Sequence, residues 1–156
     1  MQIYLMRHAS ALTKAEDGNR PLSEQGLDEA PAIGTFLKEK SVPINKIFHS
    51  GVTRSEQTAA NIAKVLSLSN LELMPSLDPD LPVEHLMRAI DHLETDCLLV
   101  GHLPNIEYIF NAYLAGSYYK SIVDFPPATL GCFKKEGKHW IMQWLVTPNL
   151  LLGKLK

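Results

Sequence analysis

One segment, DCLLVGH at residues 96–102, restricts the possible fold more than any other part of this chain. Its central residues, CLLV, would be apolar on both faces of a strand. Such a strand is typical of a parallel sheet whose two faces are covered by helices. QIYLM (2–6), KIFHS (46–50) and LELM (71–74) are predicted to form further short strands. Short apolar strands of this kind, distributed along the chain, are typical of an α/β protein.

Helical patterns separate these strands. Ser23 is placed to cap a helix that continues to about Lys40, and Pro31 within it is expected to kink or interrupt the helix. A second helix is predicted for RSEQTAANIAKVL, with Thr53 and Glu56 at the spacing of a capping box.

The second half of the chain repeats this alternation. Helices are predicted for residues 84–93 and after Pro104, and the tail from 128 to 146 is predicted to form two strands around a glycine-containing turn. We predict an α/β fold, a three-layer α/β/α sandwich with a mainly parallel sheet and an antiparallel edge strand. No repeat or linker divides the chain, so a single domain over residues 1–156 is expected.

Composition narrows the possible partners and location. A net charge of −2 and an isoelectric point of about 6.3 predict no nucleic-acid and no membrane surface. The two cysteines, Cys97 and Cys132, do not make a disulfide framework, and we expect a reducing, cytoplasmic location. No signal peptide is expected, and no apolar run approaches the roughly 18 residues that a membrane span needs.

Polar residues follow three of the predicted strands directly: Arg7 with His8, the segment 50–54, and Gly101 with His102. In open α/β sheets, ligands bind beyond the carboxyl ends of the strands. We therefore expect two arginines and two histidines to meet at one edge of the sheet. This combination predicts an anion site.

The chemistry of these side chains suggests phosphoryl transfer. Arg7 and Arg54 can each hold a phosphoryl group bidentately, and Arg54 lies where the first turn of its helix favours an anion. A neutral imidazole such as that of His8 can act as a nucleophile, while His102 can stabilise the transition state. Nothing in the set requires a metal or a cofactor.

Four motifs, in this order and spacing, resemble the histidine phosphatase superfamily, and within it the short phosphohistidine phosphatases of the SixA type. They are LMRHASA, RPLSEQG, SGVTRSEQT and LLVGHLPNI. The resemblance covers nearly the whole chain, including the tryptophan-rich edge strand before TPNLL. It implies a phosphoglycerate mutase-like fold.

The resemblance also implies a role for each matching residue. His8 is expected to be the nucleophile that becomes phosphorylated. Arg7, Arg54 and His102 are expected to complete the phosphate pocket, and Arg20 of the RPLS motif to add a substrate contact from its loop. These positions are the predicted catalytic and substrate-binding residues.

A general acid is not fixed by any motif. Asp78 or Asp80, both in the proline-rich segment PSLDPDLP, could fill that role. The nitrogen of phosphohistidine departs as imidazole and depends less on an enzymatic proton than an alkoxide does. The lack of an obvious acid therefore favours a phosphoramidate substrate over a phosphate ester.

We predict a metal-independent phosphatase that hydrolyses phosphohistidine on a partner protein, such as a phosphotransfer domain, through a phosphohistidine intermediate. The alternative is a phosphomonoesterase for small phosphorylated metabolites. A phosphoglycerate mutase is less favoured, because the resemblance implies that this branch has inserted segments for which the chain lacks room. A non-catalytic phosphate-binding module would have no use for a nucleophile. The Cys-x5-Arg loop of tyrosine phosphatases is absent, since Ser50 occupies the corresponding position in HSGVTR.

Overall fold

The computed structural model describes residues 1–154 and shows one six-stranded sheet with the order β3-β2-β4-β1-β5-β6. Residues 155–156 of the predicted domain lie outside the described part. The first four strands run parallel, and the last two are antiparallel to their neighbours. The predicted fold class is thus confirmed, with a two-stranded antiparallel edge. The strands are β1 Gln2–Arg7, β2 Lys46–His49, β3 Leu71–Leu73, β4 Cys97–Gly101, β5 Leu130–Glu136 and β6 His139–Val146.

Helices cover both faces of this sheet. Alternate residues of β1 enter different cores: Tyr4 and Met6 pack with α1 and α2, whereas Ile3 and Leu5 pack with α3 and α4. Two separate apolar layers therefore enclose the sheet, and the central strands β1 and β4 are buried on both sides. The helices are α1 Glu24–Glu39, α2 Thr53–Leu66, α3 Val83–Asp91, α4 Asn105–Ala115 and α5 Pro148–Leu151, with a 3₁₀ turn at Pro75–Leu77.

None of these helices, within residues 1–154, combines the length and the apolar composition that crossing a bilayer requires.

The register of the central strands brings two chain segments together. Arg7 of β1 is level with Gly101 of β4, and the backbone N–H of His8 donates to the carbonyl oxygen of Gly101 at 2.9 Å. His8 and His102, which follow these two strands, are consequently neighbours at the carboxyl edge of the sheet. This is the edge at which the sequence predicts an anion site.

The predicted interruption of α1 and the predicted capping box of α2 are both wrong. The helix α1 runs through Pro31 without interruption, because its apolar face is held in the core by residues such as Ile33 and Leu37. The capping box is also wrong: Thr53 is the first helical residue of α2, its N-cap is Val52, and no side chain caps that end. Ser23, in contrast, caps α1 as predicted by accepting a hydrogen bond from Gly26 N at 3.2 Å.

Gly26 lets α1 approach the segment that follows His8. A Cβ at this position would overlap the carbonyl oxygen of Ser10, which is backbone and cannot move aside as a flexible side chain would. We therefore expect Gly26→Ala to lower the free energy of unfolding by about 1–3 kcal/mol, as overpacking generally does. Urea denaturation measures this difference.

Gly18→Ala is the matched control, because a Cβ at Gly18 would have no atom within 4 Å. Equal unfolding midpoints for the two variants would contradict the tight contact between α1 and Ser10.

Candidate active site

His8 occupies the centre of the candidate site, immediately after β1. Its side chain is 7% exposed. The Nδ1 atom lies 2.7 Å from the carbonyl oxygen of Ala9, so Nδ1 must carry the proton and donate it. The other ring nitrogen, Nε2, then keeps its lone pair and accepts a hydrogen bond from Nε of Arg54 at 3.1 Å. An imidazole held in this tautomer presents Nε2 as a nucleophile.

The surroundings of His8 keep its ring neutral. Burial lowers the pKa of His8 from its ordinary value of 6.5 to about 4, and the positive charges of Arg54, Arg7 and Arg20 act in the same direction. The hydrogen bond to Ala9 opposes them but is outweighed. His8 is therefore unprotonated near neutral pH, as a nucleophile must be.

His102 faces His8 from the end of β4. The two ring centroids are 5.1 Å apart, and Nε2 of His102 lies 2.7 Å from the hydroxyl oxygen of Ser50. Burial is the largest of the causes that lower the pKa of His102 to about 3, and the neighbouring His8, Arg54 and Arg20 act in the same direction. Its Nδ1 is buried and has no hydrogen-bond partner in the described part of the chain. A neutral imidazole with one nitrogen free of hydrogen bonds to the described residues thus lies beside His8.

The three predicted arginines converge on this pair from separate segments. Arg54 lies in the first turn of α2, where free backbone N–H groups also attract anions. Nη1 of Arg7 donates to the carbonyl oxygen of Phe125 at 2.5 Å, and Nε of Arg20 donates to that of Leu12 at 3.1 Å. Arg20 affects the pKa of both histidines, so its loop brings positive charge to the site.

The positive charge of these arginines is not neutralised by ion pairs. Carbonyl oxygens accept hydrogen bonds from Arg7 and Arg20, and no carboxylate within residues 1–154 forms a salt bridge with any of the three. The ion pairs within that range are Lys46–Glu72 and Lys134–Glu136, and neither includes one of the arginines or histidines of the site. An anion with several oxygens is the ligand that this arrangement accommodates.

The start of α2 is fixed by residues that the sequence analysis did not single out. Thr58 Oγ1 accepts from Ala9 N at 3.1 Å and donates to the carbonyl oxygen of Arg54 at 2.7 Å. Gln57 Oε1 accepts from Leu22 N at 2.8 Å, which attaches the RPLS segment to the same helix. Both residues belong to the quoted motif SGVTRSEQT, so the signal was present in the sequence.

Ser55 and Gly51 shape the turn before α2. Ser55 Oγ donates to the carbonyl oxygen of Val100 at 2.7 Å and accepts from Ser50 N at 3.1 Å. Gly51 has a φ of 83°, which a residue with a Cβ rarely adopts, and its N–H donates to Nδ1 of His49. These contacts attach the turn to β4 and place Ser50 against His102.

The two candidate acids do not join this cluster. Asp78 Oδ1 accepts from Asp80 N at 2.8 Å, and Asp80 is exposed. Neither carboxylate forms a hydrogen bond or ion pair with the histidines or arginines of the site in the part of the chain that is described. Their proposed role as general acid stays a prediction.

A cavity of about 500 Å³ adjoins Arg7 and was not predicted. It is formed by the start of α4 and the segment before β5, and two carboxylates line it, Glu107 and Asp124. Glu107 Oε1 accepts from the hydroxyl group of Ser121 at 2.7 Å. Neither carboxylate stands in a recognisable motif, because the segments that carry them meet only in the folded chain.

Comparison with known proteins agrees with this geometry. The family model described as histidine phosphatase superfamily (branch 1) matches residues 3–80. A phosphohistidine phosphatase SixA of Escherichia coli (strain K12) is 33% identical over 166 aligned residues, which cover 99% of each chain.

The chain belongs to the histidine phosphatase superfamily.

Solved structures show the same architecture in other proteins of similar size. The protein histidine phosphatase SixA complexed with tungstate superposes with a TM-score of 0.85 at 27% identity, covering 97% of this chain and 99% of that one. The alpha-ribazole phosphatase from Shigella flexneri shares the fold with a TM-score of 0.74 at 15% identity, covering 95% and 97%. Proteins that share this fold are thus named for different substrates.

We expect the ring of His8 to titrate far below 6.5, at about pH 4. Because the folded ring resists protonation, the unfolded chain binds a proton that the folded chain does not, between pH 6.5 and about 4. The contribution of His8 to stability is therefore complete above pH 6.5 and is lost as the pH falls through this window. NMR of ¹⁵N-labelled histidine, followed against pH, measures the midpoint.

The urea-unfolded chain provides the control, in which His8 should titrate near its ordinary value. A folded-state midpoint at or above 6.5 would contradict the neutral, buried state of His8.

Proposed function

We propose that this protein hydrolyses phosphohistidine on a partner protein through a covalent intermediate on His8. The observation that carries the proposal is the Nε2 lone pair of His8, held beside Arg54 by the hydrogen bond from Nδ1 to Ala9. Similarity to the SixA of Escherichia coli over 99% of both chains supports the substrate class.

In the first step, Nε2 of His8 attacks the phosphorus atom of the substrate. A bond from Nε2 to phosphorus forms as the phosphorus–nitrogen bond of the substrate breaks, and its electron pair leaves with the departing imidazole. Water then attacks the phosphorus atom of phosphorylated His8. The bond from Nε2 to phosphorus breaks as the oxygen–phosphorus bond forms, its electron pair returns to Nε2, and phosphate is released. The same negatively charged phosphoryl group is transferred in both steps.

We assign the stabilisation of that group to Arg7, Arg54 and His102, with a further substrate contact from Arg20. Charged hydrogen-bond donors stabilise the charge of a transition state most when they are already oriented before the reaction begins. The guanidinium groups of Arg7 and Arg20 are oriented by carbonyl oxygens, and Arg54 is on a helix. No metal is needed for any of these roles.

The cavity beside Arg7 supports a substrate larger than a phosphoryl group. Its volume of about 500 Å³ lies in the range of small-ligand sites, roughly 300–1,000 Å³. Arg7 belongs both to this cavity and to the phosphate site, so a leaving group attached to the phosphoryl group could occupy it. We propose that a phosphohistidine side chain of a partner, such as a phosphotransfer domain, enters there. We further propose that the chain is a single domain and acts in the cytoplasm.

We expect His8→Ala to abolish turnover and to remove the acid-labile phosphoenzyme, because the covalent route requires the Nε2 lone pair that this variant lacks. Rapid quench with ³²P-labelled phosphohistidine protein, followed by alkaline gel separation, measures both. The control is His85→Ala, which changes an exposed histidine. Substantial turnover by His8→Ala would refute the covalent route.

The second prediction concerns the two aspartates. Because imidazole is a good leaving group, we expect Asp78→Asn and Asp80→Asn to slow phosphohistidine hydrolysis by less than about threefold, far below the effect of losing a general acid. Sugar phosphates and alkyl phosphates should be poor substrates of the unmodified protein. Steady-state kinetics on phosphohistidine, p-nitrophenyl phosphate and a sugar phosphate test this.

A loss of about a hundredfold on phosphohistidine in either variant would identify that aspartate as the acid. Efficient turnover of a sugar phosphate by the unmodified protein would favour the phosphomonoesterase alternative.

A further inference from the structure

Glu29 of α1 is a buried carboxylate that the mechanism above does not use. It is 2% exposed, and it has no basic partner within 4 Å in the described part of the chain. Its two oxygens accept hydrogen bonds instead. Glu29 Oε2 accepts from the backbone N–H of Ser10 at 2.7 Å, and Oε1 accepts from Ser10 Oγ at 3.0 Å and from Gln25 Nε2 at 2.7 Å. A buried charge is costly, so a residue of this kind calls for an explanation.

The peptide group between Ala9 and Ser10 connects Glu29 to the nucleophile. Its N–H donates to Glu29, and its carbonyl oxygen accepts from Nδ1 of His8 at 2.7 Å. The two hydrogen bonds lie at opposite ends of one planar unit, so the carboxylate fixes the orientation of that plane. Hydrogen bonds in such a chain also polarise one another, which strengthens the acceptor that faces His8.

Hydrogen bonds of the two flanking peptide groups fix this segment between α1 and α2. The carbonyl oxygen of Ser10 accepts from Ser23 N at 3.0 Å and from Ser23 Oγ at 3.2 Å. Gly26 provides the space for this approach, as described above. On the other side, Ala9 N donates to Thr58 of α2. The segment after His8 is therefore fixed by both helices, with Glu29 as the charged group among its partners.

We propose that Glu29 is a positioning residue that acts on His8 through the Ala9–Ser10 peptide group, holding the proton on Nδ1 and stabilising the positive charge that the ring gains during phosphoryl transfer. This inference rests on the proposed role of His8 as nucleophile. When Nε2 bonds to phosphorus, the ring keeps its Nδ1 proton and becomes cationic. A carboxylate acting through the polarised peptide favours that state over the neutral ring.

The test compares Glu29→Gln with Asp28→Asn. The amide side chain of the first variant would have nearly the same shape and could still accept from Ser10 N, but it lacks the negative charge. Asp28 is the exposed neighbour on the same helix, and its variant controls for loss of a charge from α1. Three quantities are measured on the full chain: kcat with phosphohistidine protein, the inhibition constant of inorganic phosphate, and the ¹⁵N shifts of the His8 ring.

We expect Glu29→Gln to lower kcat by about tenfold, the factor that a charge-assisted hydrogen bond commonly supplies. The inhibition constant of phosphate should not rise, because removing a carboxylate does not reduce the positive charge of the arginines. The ¹⁵N shifts should show a smaller population of the tautomer with the proton on Nδ1. Asp28→Asn should match the unmodified protein in all three measurements.

A merely structural role gives a different pattern. If Glu29→Gln lowers thermal stability but leaves kcat and the His8 tautomer unchanged, the inference is overturned. It is also overturned if the unmodified protein carries the His8 proton on Nε2. If the tautomer responds to Glu29→Gln but no phosphoenzyme forms on His8 in the unmodified protein, the proposed function fails while the coupling of Glu29 to His8 stands.

Discussion

The parallel pairing of β1 with β4 is the interaction on which the site depends. Arg7 is level with Gly101, so the residues that follow each strand emerge side by side. Strands that are apolar on both faces can adopt only a central position, and their register is fixed by the two cores that they enter. A change of register by one residue would exchange these faces and separate His8 from His102. The geometry of the two histidines is therefore a property of the sheet.

The helices α1 and α2 supply the other side chains that surround His8. α2 contributes Arg54 and, through Thr58, the hydrogen bond to Ala9, while α1 contributes Glu29 on the other side of the same segment. Arg7 and Arg20 are oriented by carbonyl oxygens rather than by carboxylates. Such a site keeps its charge available for a ligand, and the folded chain bears the electrostatic cost of keeping like charges together.

Much of this arrangement could be predicted because it depends on local patterns. The strands, the principal helices and the residues at the strand ends follow from apolar runs and from the rule for open α/β sheets. The wrong predictions have physical causes. Pro31 is tolerated because packing outweighs local preference, and the predicted capping box misplaced the start of α2 by one residue. Glu29 was not predicted because its partner, Ser10, is nineteen positions away and only the docking of α1 brings them together.

The hydrogen bond from Arg7 to the carbonyl oxygen of Phe125 has a consequence for the chain between α4 and β5. That connection forms part of the cavity wall, and it is attached to a side chain to which we assign a role in binding the phosphoryl group. By thermodynamic reciprocity, a partner protein whose binding to this connection depended on the position of Arg7 would change the affinity for the anion by the same factor by which the anion changes the affinity for the partner.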